Sequence, residues 1–109
     1  MATTYKVLGQ SNPSATTATT LYTVPAATTA VVSSISVANL TATAATFRIA
    51  VRVAGATLAN SRYNGYNSTV GASDSTIITV GLTLAATDVI TVYASTANLV
   101  FQAFGSEIS

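Results

Sequence analysis

Seven charged side chains carry nearly all the acid–base chemistry open to this sequence: Lys6, Arg48, Arg52, Arg62, Asp74, Asp88 and Glu107. Histidine and cysteine are both absent. Without them neither a Ser-His-Asp or Cys-His nucleophile nor the usual zinc site can be assembled. A glycosidase-type acid and base would need two carboxylates within ~5–10 Å of each other. Asp74 and Asp88 instead each precede an apolar strand, in "SDSTII" and "TDVITV", where a carboxylate commonly accepts the amides of its own turn. Calcium takes about 6–8 oxygens, and no Asp-rich loop supplies them. Lys6, the single lysine, suits a solvated strand edge, where it discourages unwanted pairing. The expectation is a non-enzymatic protein with no cofactor and no metal.

Two stretches suit recognition better. In "FRIAVRVAG", residues 47–55, alternation puts Phe47, Ile49, Val51 and Val53 on one face of a strand and Arg48 and Arg52 on the other, with Ala50 between them. Arginine forks bind carboxylates and carbonyls and are enriched at interfaces. Arg48 and Arg52 are therefore the candidate partner-binding pair; the plain alternative is a solvated face charged for solubility. In "SRYNGYNST", tyrosine rings can stack on sugars while arginine and asparagine bond sugar hydroxyls. Arg62, Tyr63, Asn64 and Tyr66 form a candidate glycan contact, against the alternative of half-buried strand tyrosines with wet hydroxyls. Asn39 and Asn67 begin Asn-x-Ser/Thr triplets, which a threonine-rich chain contains by chance.

These residues must be positioned by strands. Period-two alternation of β-branched residues recurs from end to end with short polar, Gly or Pro breaks. It predicts strands near Thr4 to Leu8, Thr20 to Val24, Val31 to Leu40, Thr46 to Val53, Arg62 to Val70, Ser75 to Leu82, Val89 to Ala94 and Leu99 to Phe104. The fold class is all-β: one antiparallel β-sandwich domain over residues 1–109, of about eight strands, with the jelly roll as one form of it. "NPSATTATT" reads as an irregular surface segment. Asn64-Gly65 admits two readings, a tight hairpin pairing Tyr63 with Tyr66 or an unbroken strand. The main core burden falls on Leu21, Val24, Val37, Phe47, Ile49, Val51, Ile78, Val80, Leu82, Ile90, Val92, Val100 and Phe104.

Charged residues make up 6% of the chain, against ~25% in ordinary soluble domains. A surface so bare is expected to be covered by copies of the chain or by a partner. The net charge of +1 gives no electrostatic grip on nucleic acid. No apolar run approaches the ~20 residues that cross a membrane, and the N-terminus lacks a signal-peptide pattern.

"TLYTVPAATTAVVSSISVANLTATAATFRIAV" and "LAATDVITVYASTANLVFQAFGSEI" together resemble small structural proteins of tailed bacteriophages, over most of the chain from Thr20 to Ile108. The family implies a sandwich that serves as a capsid decoration or cement protein, or as a module of tail or neck fibres, without a catalytic motif. "RYNGYNSTVG" departs from the family pattern and is the natural place for differing recognition. The expected function is therefore that of a virion subunit that binds the major capsid protein, stabilises neighbouring capsomers and self-associates as a dimer or trimer. It would be assembled in the host cytoplasm and lie on the capsid surface. The alternative is a tail, neck or baseplate appendage that binds a host surface glycan. A chain that begins with methionine and holds one sandwich, with no fibrous shaft, favours decoration.

Overall fold

Residues 2–109 are described by a computed structural model, the side chains of Asn60 and Val80 excepted. The alternating sequence forms eight strands: β1 (Thr3–Ser11), β2 (Thr19–Thr23), β3 (Thr29–Asn39), β4 (Ala45–Arg52), β5 (Tyr63–Val70), β6 (Ser75–Leu84), β7 (Val89–Ala94) and β8 (Leu99–Ile108). They build two four-stranded antiparallel sheets in the orders β1-β8-β3-β6 and β2-β7-β4-β5. Strands paired from the two chain ends inward, first with last, second with seventh, third with sixth and fourth with fifth, give the wrapping of a jelly roll. "NPSATTATT" is irregular as expected until β2 begins at Thr19.

The core lies between the sheets. Phe47 and Phe101 meet edge to face across it, with ring centroids 6.0 Å apart, and Ile35, Val37, Ile90, Val92 and Leu99 surround them, all fully buried. Leu21, Val24, Val37, Phe47, Ile49, Ile90 and Val92 are buried where the pattern put them. On β8 the parity is the reverse of the expectation. Leu99, Phe101 and Ala103 point inward, so Val100 and Phe104 lie half-buried on the outer face. Val80 lies outside the described side chains. Ile78 and Leu82 are only half-buried because a cavity of about 280 Å³ opens beside them at the β5–β6 side. Its opposite wall is β5, which contributes Asn64, Gly65 and Ser68 where a filled core would place bulk.

Bulges set the sheet geometry. Ser33 is an extra residue in the β3–β8 ladder, between the pairs Val32–Gly105 and Ser34–Phe104. A Cβ on Gly105 would collide with the Val31 carbonyl, and Gly81, on the other neighbour of β3, turns at φ 58°. Glycine supplies at both places what another side chain would strain.

Asn39 ends β3 buried, 4% exposed, and ties together the turns at that end of the sandwich. Its Nδ2 donates to the carbonyls of Thr43 at 2.8 Å and Gly71 at 3.2 Å, and its Oδ1 accepts the amide and hydroxyl of Thr41 at 3.0 and 2.9 Å. The amide that begins the first Asn-x-Thr triplet is thus occupied within the fold. Asn39→Ala leaves these buried groups without their partners and is expected to cost about 2–3 kcal/mol of stability, read as a lower urea midpoint at unchanged slope.

Candidate functional site

Arg48 leaves β4 on the outer face of the β2-β7-β4-β5 sheet because Phe47 and Ile49, on either side of it, are committed to the core. Its partner in the β4–β7 register is Tyr93. On the other flank β5 is bulged: Phe47 pairs with Ser68 and Ile49 with Gly65, so Tyr66 and Asn67 together oppose Arg48. A regular ladder would place one residue there. Asn67 takes up the extra length at φ 51°, in the left-handed region that asparagine tolerates better than most residues.

The two opposing residues do different things. The guanidinium carbon of Arg48 lies 4.2 Å from the ring centroid of Tyr66 and 4.4 Å from that of Tyr93, so the cation is held between two aromatic rings. Its Nε donates to Asn67 Oδ1 at 2.8 Å. Tyr63 braces Tyr66, with ring centroids 4.9 Å apart and planes nearly perpendicular. Each cation–π contact at an exposed site contributes about 0.5–1 kcal/mol, enough for the pair to hold the side chain in one orientation.

Arg52 has other surroundings. The β4–β5 connection folds back over this end of the sheet, its two short 3-10 turns, Val53–Gly55 and Asn60–Arg62, packing on β7 and β4. Ala50, Val89 and Thr91, which belong to the outer face, are buried. Arg52 is half-buried, and its Nε and the Thr91 hydroxyl are buried with no hydrogen-bond partner among the described residues. The expected flat basic face with Ala50 at its centre is therefore divided into a ring-held Arg48 and a partly covered Arg52.

Of the four residues expected to contact a glycan, Tyr63 and Tyr66 come together. β5 is an unbroken strand, so the hairpin reading of Asn64-Gly65 does not apply. Asn64 lines the cavity between the sheets, and Arg62 is half-buried at the end of the second 3-10 turn. The cluster is completed by Arg48, Asn67 and Tyr93. Sequence reasoning missed the last two: Tyr93 shares parity with the outward Thr91, but its adjacency to Arg48 depends on strand order.

Each carboxylate has a local task. Asp74 Oδ1 accepts the Ser75 amide at 2.8 Å, as a turn residue should. Asp88 is buried and does more: Oδ2 accepts the Ala85 amide of its own turn and Oδ1 the Ala54 amide, both at 2.9 Å, which pins the β4–β5 connection to the sheet. Glu107 accepts the Tyr22 hydroxyl at 2.5 Å and forms an ion pair with Lys6 at 3.2 Å, closing the β1–β2 side of the sandwich.

The outer face of the other sheet contrasts with this one. Register and burial place Tyr5, Val7 and Gln10 of β1, Val100, Gln102, Phe104 and Ser106 of β8, Val31, Ser34, Ser36 and Ala38 of β3, and Ile77 and Thr79 of β6 on it. None of the seven charged side chains belongs to it. Lys6 and Glu107, though on β1 and β8, fall in the inward rows with Val32 and Ala30. Tyr5 is 83% and Ile77 70% exposed.

No protein-family model matches the chain, and no curated protein matches its sequence.

The Glu107 contacts carry a pH signature. The hydrogen bond from Tyr22, and secondarily Lys6, holds the Glu107 carboxyl below its ordinary value against an opposing effect of burial. A carboxyl whose pKa is lower folded than unfolded contributes stability that is complete above the unfolded value, ~4.3, and fades as pH falls through the folded one. The Tyr22 phenol is pushed above its ordinary value, by burial first and then by Glu107. Its contribution is present below ~10 and fades at higher pH. Glu107→Gln should flatten the loss of stability below about pH 4.3 and Tyr22→Phe the loss above about pH 10, both measured by urea unfolding across pH.

Proposed function

We propose that this chain is a non-enzymatic structural subunit of a tailed-phage virion, a capsid decoration or cement protein. It seats the uncharged outer face of the β1-β8-β3-β6 sheet on the shell of major capsid protein and bridges neighbouring capsomers. The observation that carries this reading is the distribution of charge: a whole sheet face without one ionised side chain, bearing exposed Tyr5, Val7 and Ile77, in a chain whose charges all lie elsewhere. Contiguous surfaces of this kind mark sites of association. The resemblance of "LYTVP", "ATFRIAV" and "DVITVYAS" to phage structural proteins supplies the partner. Self-association as a dimer or trimer adds a second attachment point, and on a repeating lattice two linked weak contacts gain apparent affinity through effective concentration.

The ring-held Arg48 beside Tyr63 and Tyr66 favours a second reading, a tail, neck or baseplate appendage that binds a host surface glycan. The copy number per purified particle separates the two. About one chain per capsid subunit or capsomer fits a lattice protein, and a few to a few tens fit an appendage. For the first reading, Gln102→Glu on the inner strand β8 and Ile77→Lys on the edge strand β6 each put an unpaired charge on the docking face. Each is expected to lower shell occupancy by about tenfold or more at unchanged melting temperature, while Thr20→Lys on the opposite sheet leaves occupancy as it is. Full occupancy by both charged variants would remove this face from docking.

A further inference from the structure

We infer that the Arg48 cluster is a binding site for the carboxylate of an acidic sugar. The inference concerns the outer face of the β2-β7-β4-β5 sheet and stands apart from shell docking. In a two-layer sandwich the outer faces point in opposite directions, so a subunit seated by one presents the other to the surroundings. It deepens the second reading by naming the ligand class, and rests on that reading only in taking this face as a sugar surface.

The chemistry follows from what Arg48 has already committed. A guanidinium carries five N–H donors in a planar fork. The Nε–H is bound to Asn67 Oδ1, the guanidinium carbon lies over the rings of Tyr66 and Tyr93 from the two neighbouring strands, and the described residues give the Nη groups no acceptor. What remains free is the Nη edge. That edge takes a carboxylate through two parallel hydrogen bonds, a geometry a lysine ammonium cannot reproduce. Because the rings and the amide fix the side chain before anything binds, little conformational freedom is lost on binding.

The surroundings choose the carrier of the carboxylate. Beside the fork stand three phenol rings, Tyr63, Tyr66 and Tyr93, with Tyr66 54% exposed. A pyranose stacks its C–H face on such rings and bonds its hydroxyls to phenols and amides. A second copy of this chain is poorly supplied for the role: Asp88 is buried, Glu107 is paired, and only the turn residue Asp74 is exposed among its side-chain carboxylates.

The test uses the whole protein and a panel of oligosaccharides bearing uronic, sialic-type or pyruvate-ketal carboxylates. Each is titrated beside its carboxyl-reduced form, with a hexaglutamate peptide as a further probe. At least one acidic sugar is expected to bind about tenfold or more tighter than its reduced form, and Arg48→Lys should remove that preference. Arg48 lies outside the core, so the variant should keep its melting temperature; Tyr93→Leu, which removes one ring and leaves the cation, should weaken the same binding. Equal binding of acidic and reduced sugars overturns the carboxylate site and leaves a neutral-glycan reading. Tighter binding of hexaglutamate than of any sugar overturns the sugar assignment in favour of an acidic protein surface. No binding of any probe overturns both the site and the glycan reading of this face.

Discussion

The edge-to-face contact of Phe47 with Phe101 is the point from which the rest of the structure can be counted. The two rings sit on different sheets, and an aromatic pair of this kind adds about 0.5–1.5 kcal/mol beyond the burial of its area. More important is what it fixes. Side chains alternate along a strand, so once Phe47 faces inward Arg48 faces outward, and once Phe101 faces inward Val100 and Gln102 face outward on the opposite side. A slip of one residue on β4 would drive an arginine into the core and an aromatic ring into water. Cross-strand register then sets Tyr93 beside Arg48 and Ser36 beside Gln102. The ring-held cation and the uncharged face are both one residue away from the same contact.

The two outer faces answer different physical demands. On the β2-β7-β4-β5 sheet, the β4–β5 connection covers Ala50, Val89 and Thr91, and buried Asp88 holds that connection down through Ala54. The cover stops short of Arg48, which its tyrosines hold instead. On the β1-β8-β3-β6 sheet nothing within the described residues plays this part. Its half-buried Val100 and Phe104 and exposed Ile77 have only serine, threonine and glutamine to keep them wet. The edges differ as well. β5 is twice bulged, which disrupts the ladder a neighbouring strand would need, whereas Lys6 and Glu107 guard the β1 side with charge.

Much of the scaffold was legible because β-branched alternation and polar breaks are local signals. All eight strands fall near their expected spans, and β7 runs from Val89 to Ala94 as read. The parity of β8 was not legible: "LVFQAF" offers apolar residues at both parities, and only its place between β1 and β3 assigns Leu99 and Phe101 to the inside. Asn64-Gly65 looks like a hairpin because a tight turn there would want positive φ at both residues. In the structure the positive φ sits at Asn67, and the chain passes through the glycine within β5, with a bulge at Asn64 in place of a turn. The Arg48 cluster was half legible. Arg48, Tyr63 and Tyr66 stood out by type, but Tyr93 joins them through strand order and Asn67 through a bulge, and neither has a signature in a single sequence.

That bulge explains why residues of such different kinds converge on one guanidinium. Holding a guanidinium carbon over two rings with its Nε–H bound to an acceptor needs three groups around one side chain. A regular antiparallel ladder gives a residue one direct neighbour on each side, which is two. Tyr93 fills the β7 side, and on the β5 side the extra residue lets Tyr66 supply the second ring while Asn67 supplies the acceptor. Removing the extra residue at this bulge would leave one residue opposite Arg48 and remove either the ring or the acceptor. Inward, the same strand presents Gly65 and Ser68 to the cavity instead of bulk, so β5 adds less to the core than its neighbours do. Its irregularity and its polar composition make it a weak structural strand, and they are the same features that assemble the Arg48 cluster.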